Sequence, residues 1–217
     1  MKGRAVALLS HCPLLAPTLT HTFQLKPSSQ AVILVFEKTA AYTAGLIINK
    51  PTTVRLGDFE GDSPLLPLFA DSRLHLGGDV GSDTMQMMHS RAVEGSTEIR
   101  AGVHMGGTAA VKAAIERGEM AARDVKWFTR YSGWGQGQLE NECKRNVWCA
   151  SGAVAQLVRG ASAESGARRF PASVSADLVL QSVEHDGRHL WHQVMELLGG
   201  ALRGRGCVQT PCLRPRD

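Results

Sequence analysis

Residues 31 to 37, AVILVFE, are six apolar positions and one charge, rich in β-branched and aromatic side chains and too short for a helix. GLIINK (45 to 50) repeats the pattern and stops at Pro51. Continuous apolar character predicts strands buried on both faces, and the short KTAAYTA link makes the two neighbours. RLHLGG (73 to 78) and TMQMMHS (84 to 90) predict a second strand pair around the turn-rich DVGSD. EIRAGVHM (98 to 105) reads as one further strand, and VKWFTRY (125 to 131) alternates as a pleat requires. The N-terminal MKGRAVALLSHCPLLAP has the outline of a secretory leader, but His11, Cys12 and Pro13 interrupt its apolar stretch. It is expected to be a first strand.

Helical periodicity enters later in the chain. In GGTAAVKAAIERGE, Val111, Ala114 and Ile115 form an apolar stripe, Thr108 is placed to cap, and Gly118 supplies the stop. Leu139, Cys143 and Val147 recur at i, i+4, i+8, with Glu140 and Lys144 on the opposite side. Ser175 is expected to cap ADLVLQSV. A longer helix over 188 to 198 carries Leu190, Trp191, Val194, Met195 and Leu198 on one face, ended by Gly199-Gly200. Early strand pairs and late helices, without regular βαβ alternation, predict an α+β fold with a mixed, mainly antiparallel sheet.

The chain has 217 residues, 43% of them hydrophobic, which suits one domain. Residues 1 to 202 are read as that domain, with GASAESGARRFPAS (160 to 173) as an exposed insertion. Residues 203 to 217 are read as a disordered tail. Arg203, Arg205, Arg214 and Arg216 against Asp217 place +3 of the formal +4 charge in that tail, leaving +1 for the body. A near-neutral body argues against electrostatic nucleic-acid binding except weakly through the tail. Five cysteines, an odd number without a CxxC pair, fit an intracellular, reducing compartment and no zinc ribbon. No run is long enough to span a membrane.

YSGWGQGQLENE (131 to 142), followed by NVW (146 to 148), resembles the "GYAGWGPGQLEEE…W" signature of the YqgE/AlgH family of uncharacterised proteins. GLIINKP, ending in Asn49, Lys50 and Pro51, is similar to that family's "GLVINRP". GGDV, with Gly77 and Gly78, is similar to its "GGPV", and LWHQVMELLGG resembles the C-terminal helix of its plant-type members. These matches fall in order over roughly residues 3 to 202. Lys50 stands where the family has arginine and offers a point charge rather than a fork. Asp79 replaces the proline of the GGPV turn. The resemblance implies a compact domain whose forked sheet curls into a pseudo-barrel with helices outside, in the cytoplasm or a plastid. It implies no reaction, cofactor or catalytic residue, and its name suggests a regulator.

Within the signature, Gly133, Gly135 and Gly137 are expected to form a loop that takes positive φ or passes close to another segment. Trp134 is expected to be buried, Gln138 and Glu142 to share an exposed surface; Tyr131 and Trp148 complete the motif. Gly106, Gly107 and Thr108 are the candidate anion or ligand site, because a strand, a glycine pair and a helix start gather free N–H groups and a positive dipole end. The Walker and dinucleotide patterns are absent there. His185, His189, His192 and Glu196 have ligand-like spacing, but Asp186-Gly187 breaks the helix between them, and they read as solvated. No metal, cofactor or catalytic residue is therefore expected. His11 and Cys12 point to opposite faces and cannot pair, and no G-x-S-x-G elbow occurs. The functional expectation is a non-catalytic binding or regulatory module with a protein or small anionic ligand as partner. The alternative is an enzyme acting on a phosphorylated or carboxylated metabolite at the 106–108 turn.

Overall fold

The computed structural model describes residues 6–10, 30–59, 61, 63, 65–145, 147–150, 175–183 and 187–202. The 160–173 and 203–217 segments and His185 lie outside the described residues. Among the described residues, ten strands form one forked, mainly antiparallel sheet. They are β1 (Val6–Ser10), β2 (Val32–Lys38), β3 (Tyr42–Ile47), β4 (Pro51–Arg55) and β5 (Arg73–Leu76), then β6 (Val80–His89), β7 (Ser96–Arg100), β8 (Val103–Gly106), β9 (Lys126–Gly135) and β10 (Trp148–Ala150). The α-helices among the described residues are α1 (Thr108–Glu116), α2 (Gln138–Lys144), α3 (Ala176–Leu180) and α4 (Arg188–Leu202).

Strand β9 is the stem of the fork. Its first half lies between β5, which it pairs in parallel through Leu74↔Trp127, and β6, which it pairs antiparallel through Met87↔Trp127. Its second half pairs with β3, from Gly45↔Ser132 to Tyr42↔Gly135. The change of partner occurs at Arg130, whose φ of 60° bends the strand there. Two expectations are corrected by this arrangement. Strands β5 and β6 do not pair with each other, because β9 runs between them, and the glycine-rich Tyr131–Gly135 continues β9 rather than forming a loop. EIRAGVHM is likewise not one strand: Gly102, at φ +74°, turns the chain between β7 and β8, which pair antiparallel.

The double-sided burial expected of β2 is observed. Val32 and Leu34 face a cluster with Leu46, Ile48, Met88, Phe128 and the helix residues Val179 and Leu190. Ile33 and Val35 face the opposite cluster, where Trp134 and Leu139 bring α2 onto the sheet. A third cluster packs Val111 and Ala114 of α1 over Leu74, Met87 and Trp127. The apolar stripe of α1 thus lies where its spacing put it. Ser175 caps α3, its Oγ accepting from Leu178 N at 3.2 Å. Helix α2 ends at Lys144, so Val147 lies beyond it, and α4 runs through Gly199-Gly200 to Leu202. No helix of the described residues is long and apolar enough to cross a membrane.

Candidate functional site

Glu142 is the centre of the signature stretch. Its Oε2 accepts from Trp134 Nε1 at 2.9 Å and from Trp148 Nε1 at 2.6 Å, while Gln138 Nε2 donates to Oε1 at 3.0 Å. Gln138 Oε1 in turn accepts the Gly135 N–H at 3.1 Å. The two indoles meet edge to face, 6.0 Å apart. Trp134 is buried, as expected, but Glu142 is half-buried rather than exposed, because one carboxylate oxygen joins the end of β9 to the start of β10. Of the three glycines, only Gly137 has positive φ, at 71°, where it begins α2. The motif is a fastener.

The other motif residues are fasteners as well. Asn49 is fully buried: its Oδ1 accepts from Val32 N at 2.8 Å and its Nδ2 donates to Gln30 O at 2.8 Å and Gly187 O at 3.1 Å. Gly77 and Gly78 carry β5 past β9 at a separation with no room for a side chain. A Cβ at Gly77 would meet Arg130 O at 2.4 Å, and one at Gly78 would meet Tyr131 C at 2.1 Å. Gly77 N donates to Thr129 O and Gly77 O accepts from Ile47 N, each at 2.8 Å, so this contact ties three strands. Pro51 opens β4 opposite His75, the half-buried Lys50 accepts Leu76 N through its carbonyl at 2.8 Å, and Tyr131 pairs with Val80.

The Gly106–Thr108 turn is different, because space opens beside it. Strands β6 and β8 pair only at Met88↔Met105 and His89↔His104. Continued, the register would set Met87, Gln86 and Met85 opposite Gly106, Gly107 and Thr108. The positive φ of Gly106 and Gly107, +82° and +71°, instead swings the chain into α1. A cavity of about 570 Å³ occupies the gap, with Met85, Gln86, Met87, Met105, Gly106 and Thr108 on its wall. Phe36 and Glu37 of β2 and Thr97 and Ile99 of β7 border it on its open side, at the bulge where β2 loses register between Val35 and Glu37. Both faces of β6 reach the cavity because it lies along that strand's free edge.

Thr108 does not cap α1 as expected. Gly107 occupies the cap position in the left-handed conformation, and no side chain serves there. The first intrahelical bond is Val111 N to Gly107 O at 2.9 Å, so the N–H groups of Thr108, Ala109 and Ala110 precede the ladder. Two more polar atoms of wall residues have no partner. These are Trp127 Nε1, on a side chain only 5% exposed, and Gln86 Oε1. Behind the turn, His89 Nε2 donates to Gly106 O at 2.9 Å and fixes that carbonyl.

The AlgH-like family matches residues 19–203. The chain belongs to that family. It is 33% identical over 124 residues to a UPF0301 protein of Bacteroides fragilis, covering 56% of this chain and 62% of that one. It is 30% identical over 155 residues to a UPF0301 protein of Chlorobaculum tepidum, covering 70% and 75%. The matched region thus spans about three fifths of the Bacteroides relative. The solution structure of the AlgH protein from Pseudomonas aeruginosa is similar over 90% of this chain and 88% of its own, with TM-score 0.57 and 18% identity. The crystal structure of protein DIP2367 from Corynebacterium diphtheriae gives TM-score 0.58 at 16% identity, over 89% and 85%. Both support the fold.

This AlgH-like chain also buries a lysine that its sequence did not single out. Lys126 is 6% exposed and donates from Nζ to Ile48 O at 2.8 Å and to Val179 O and Gln181 O at 3.2 Å. Burial pulls its pKa from the ordinary lysine value to about 7. A lysine so lowered suits proton-transfer chemistry, but three carbonyls engage its ammonium and it lies off the cavity wall. Its role is to bind the C-terminal end of α3 to the β3 end. His75, buried beside Phe128, is lowered to about 3 by burial and then by the nearby Lys126 charge. His189, His192 and Glu196 are exposed, and no metal-binding group occurs among the described residues.

Proposed function

We propose that this AlgH-like protein is a non-catalytic binding module whose ligand is a small molecule held in the β6–β8 cavity. The observation that carries the reading is the divergence of the two strands at Gly106-Gly107, which leaves a 570 Å³ space where three residue pairs would otherwise close. That volume lies within the usual range for small-ligand sites. Glu37 is the one ionisable side chain of the described wall, and no nucleophile stands there beside a base. Binding therefore explains the wall better than turnover does. The surrounding fasteners support it: Glu142, Asn49 and the Gly77–Gly78 crossing hold the sheet open at the fork without themselves lining the cavity.

The test is a thermal-shift screen of small metabolites against the full chain and a Thr97→Phe variant. Thr97 is exposed on β7 at the cavity wall, so an aromatic side chain there suits the strand while filling the opening. A ligand at 100 times its Kd stabilises by about 2.7 kcal/mol. Stabilisation of wild type that disappears in a normally folded Thr97→Phe protein is the expected result. A ligand that stabilises both proteins equally would place binding elsewhere.

A further inference from the structure

Resting on that reading, the edge of β6 specifies the class of molecule the cavity takes. Gly77 N donates to Thr129 O across the β5–β9 pair, so Thr129 turns its main-chain groups toward β5. Such groups alternate sides along a strand; Trp127 therefore does the same, while Lys126 and Phe128 turn theirs to β6. Their partners Met88 and Gln86 bond to β9, and Met85 and Met87 direct their N–H and C=O groups to the opposite side. That is the side β8 leaves, since no described residue pairs with β6 there before Met88. The vacated edge is short. It is bounded by the Met88↔Met105 pair and by the irregularity of β6 that precedes Met85, a length of three residues, or about 10 Å. It admits the backbone of a short extended chain rather than another sheet.

The side chains of such a strand fall on two faces. A residue opposite Gln86 shares the face of Met88, where Phe36, Ile99 and Met105 pack, and Glu37 stands at its rim. This surface is apolar and ends in the one carboxylate of the wall. Lysine matches both parts, with an apolar stem and a cationic head. Residues opposite Met85 and Met87 lie on the other face, where Met87 packs with Trp127, and apolar side chains suit it.

We infer that the cavity binds a short extended peptide, which adds to β6 as an antiparallel strand in the place β8 vacates, with a lysine opposite Gln86 and an apolar residue on either side. The two apolar residues exchange main-chain hydrogen bonds with Met85 and Met87, and the lysine turns its own main-chain groups away. Affinity comes from the ladder and selectivity from the Glu37 face.

The experiment titrates the full chain with acetyl-Val-Lys-Val-amide, reading affinity from NMR shifts and following hydrogen exchange at the Met85 and Met87 amides. Saturating peptide is expected to slow exchange at both amides by about tenfold or more, as pairing of a strand edge does. N-methylation of both valines removes two hydrogen bonds and should weaken binding about tenfold, whereas N-methylation of the lysine should leave it unchanged. A norleucine in place of the lysine keeps the stem without the charge. It should bind about threefold more weakly to wild type and equally well to Glu37→Gln, a substitution at an exposed position that leaves the fold intact. A doubly valine-methylated peptide that binds as tightly as the parent would overturn the main-chain pairing. Equal binding of the lysine and norleucine peptides by wild type would overturn the part given to Glu37. No saturable binding of the parent peptide would overturn the whole inference; the proposed function would then still be decided separately, by whether a metabolite stabilises wild type and not Thr97→Phe.

Discussion

Trp134 and Trp148 donate their indole N–H groups to the same oxygen of Glu142, at 2.9 and 2.6 Å, across a helix that separates the two strands bearing them. Hydrogen bonds to charged acceptors contribute about 1.5–3 kcal/mol each, and losing the acceptor strands both donors. Glu142→Ala is therefore expected to destabilise the fold by about 3 kcal/mol and Glu142→Gln by about 1 kcal/mol. Gln138→Ala, at an exposed position, should cost less than about 1 kcal/mol. Urea denaturation measures all three. A Glu142→Ala protein within 1 kcal/mol of wild type would mean that water replaces the carboxylate at both indoles.

The glycine crossing separates two reasons for needing glycine. At Gly78 a Cβ would meet Tyr131 C at 2.1 Å and Ser132 N at 2.2 Å, both rigid backbone of β9. Gly78→Ala must push two strands apart and is expected to cost more than about 3 kcal/mol, the range of severe core disruption. Gly137 has φ +71° but nothing within 4 Å of a Cβ, so Gly137→Ala carries only the left-handed strain, about 1–2 kcal/mol. Urea midpoints of the two variants that come out equal would contradict the close approach.

Much of this was legible in the chain because burial writes a pattern. The run 31–37 announced a strand covered on both sides, and Val111, Ala114 and Ile115 announced the buried stripe of α1. The short strands β4 and β10 carry no such pattern, since three to five residues cannot establish a period. Tyr131–Gly135 reads as a loop because glycine usually marks a turn; here Gly133 and Gly135 lack positive φ and pair with Ala44 and Tyr42 of β3 as strand residues. The Glu142 fastener was invisible, as its partners stand on separate elements and helical spacing alone would leave the carboxylate in solvent. At the cavity, the Gly106–Thr108 turn could be picked out, but Phe36, Met85 and Trp127 come to it from segments about twenty to seventy residues away. Only the strand register brings them there.

Buried Lys126 and His75 fix the sign of the pH dependence. Lys126 has a folded pKa of about 7 against 10.5 for the free side chain, so between those values the unfolded chain binds the extra proton and stability rises with pH. His75, at about 3 in the fold against 6.5, acts in the same direction between pH 3 and 6.5. Raising pH from 7 to 9 should increase stability by up to about 1.4 kcal/mol per unit from Lys126 alone. Lys126→Met should flatten that rise, although the Ile48, Val179 and Gln181 carbonyls lose their donor. The measurement is the urea midpoint at pH 6, 7, 8 and 9. A wild-type curve no steeper than the Lys126→Met curve above pH 7 would show that the carbonyls keep the ammonium at its ordinary pKa.

Asn49 allows a sharper test, because its two side-chain ends have opposite tasks. Oδ1 accepts the Val32 N–H, and Nδ2 donates to two carbonyls, those of Gln30 and Gly187, at a fully buried position. Asn49→Asp preserves the shape and the acceptor but sets a second oxygen against those carbonyls. The aspartate would then be buried with one hydrogen-bond donor and two repelling acceptors. Burial and repulsion both raise its folded pKa above the unfolded value of about 3.9. The penalty is accordingly full above the folded pKa and is removed as pH falls through it toward the unfolded one. At pH 8 the variant is expected to be at least about 3 kcal/mol less stable than wild type, the usual consequence of an uncompensated buried charge. Compared with wild type at the same pH, the deficit should shrink as pH falls from 8 to 4, since a protonated carboxyl donates to one of the two carbonyls. Asn49→Ser, which carries no charge, should show a deficit that does not vary with pH. If the Asn49→Asp deficit stayed constant over that range, the side chain would have turned its charge to solvent, and Asn49 would not be the sealed junction of β2, β3 and α4 that its three hydrogen bonds describe.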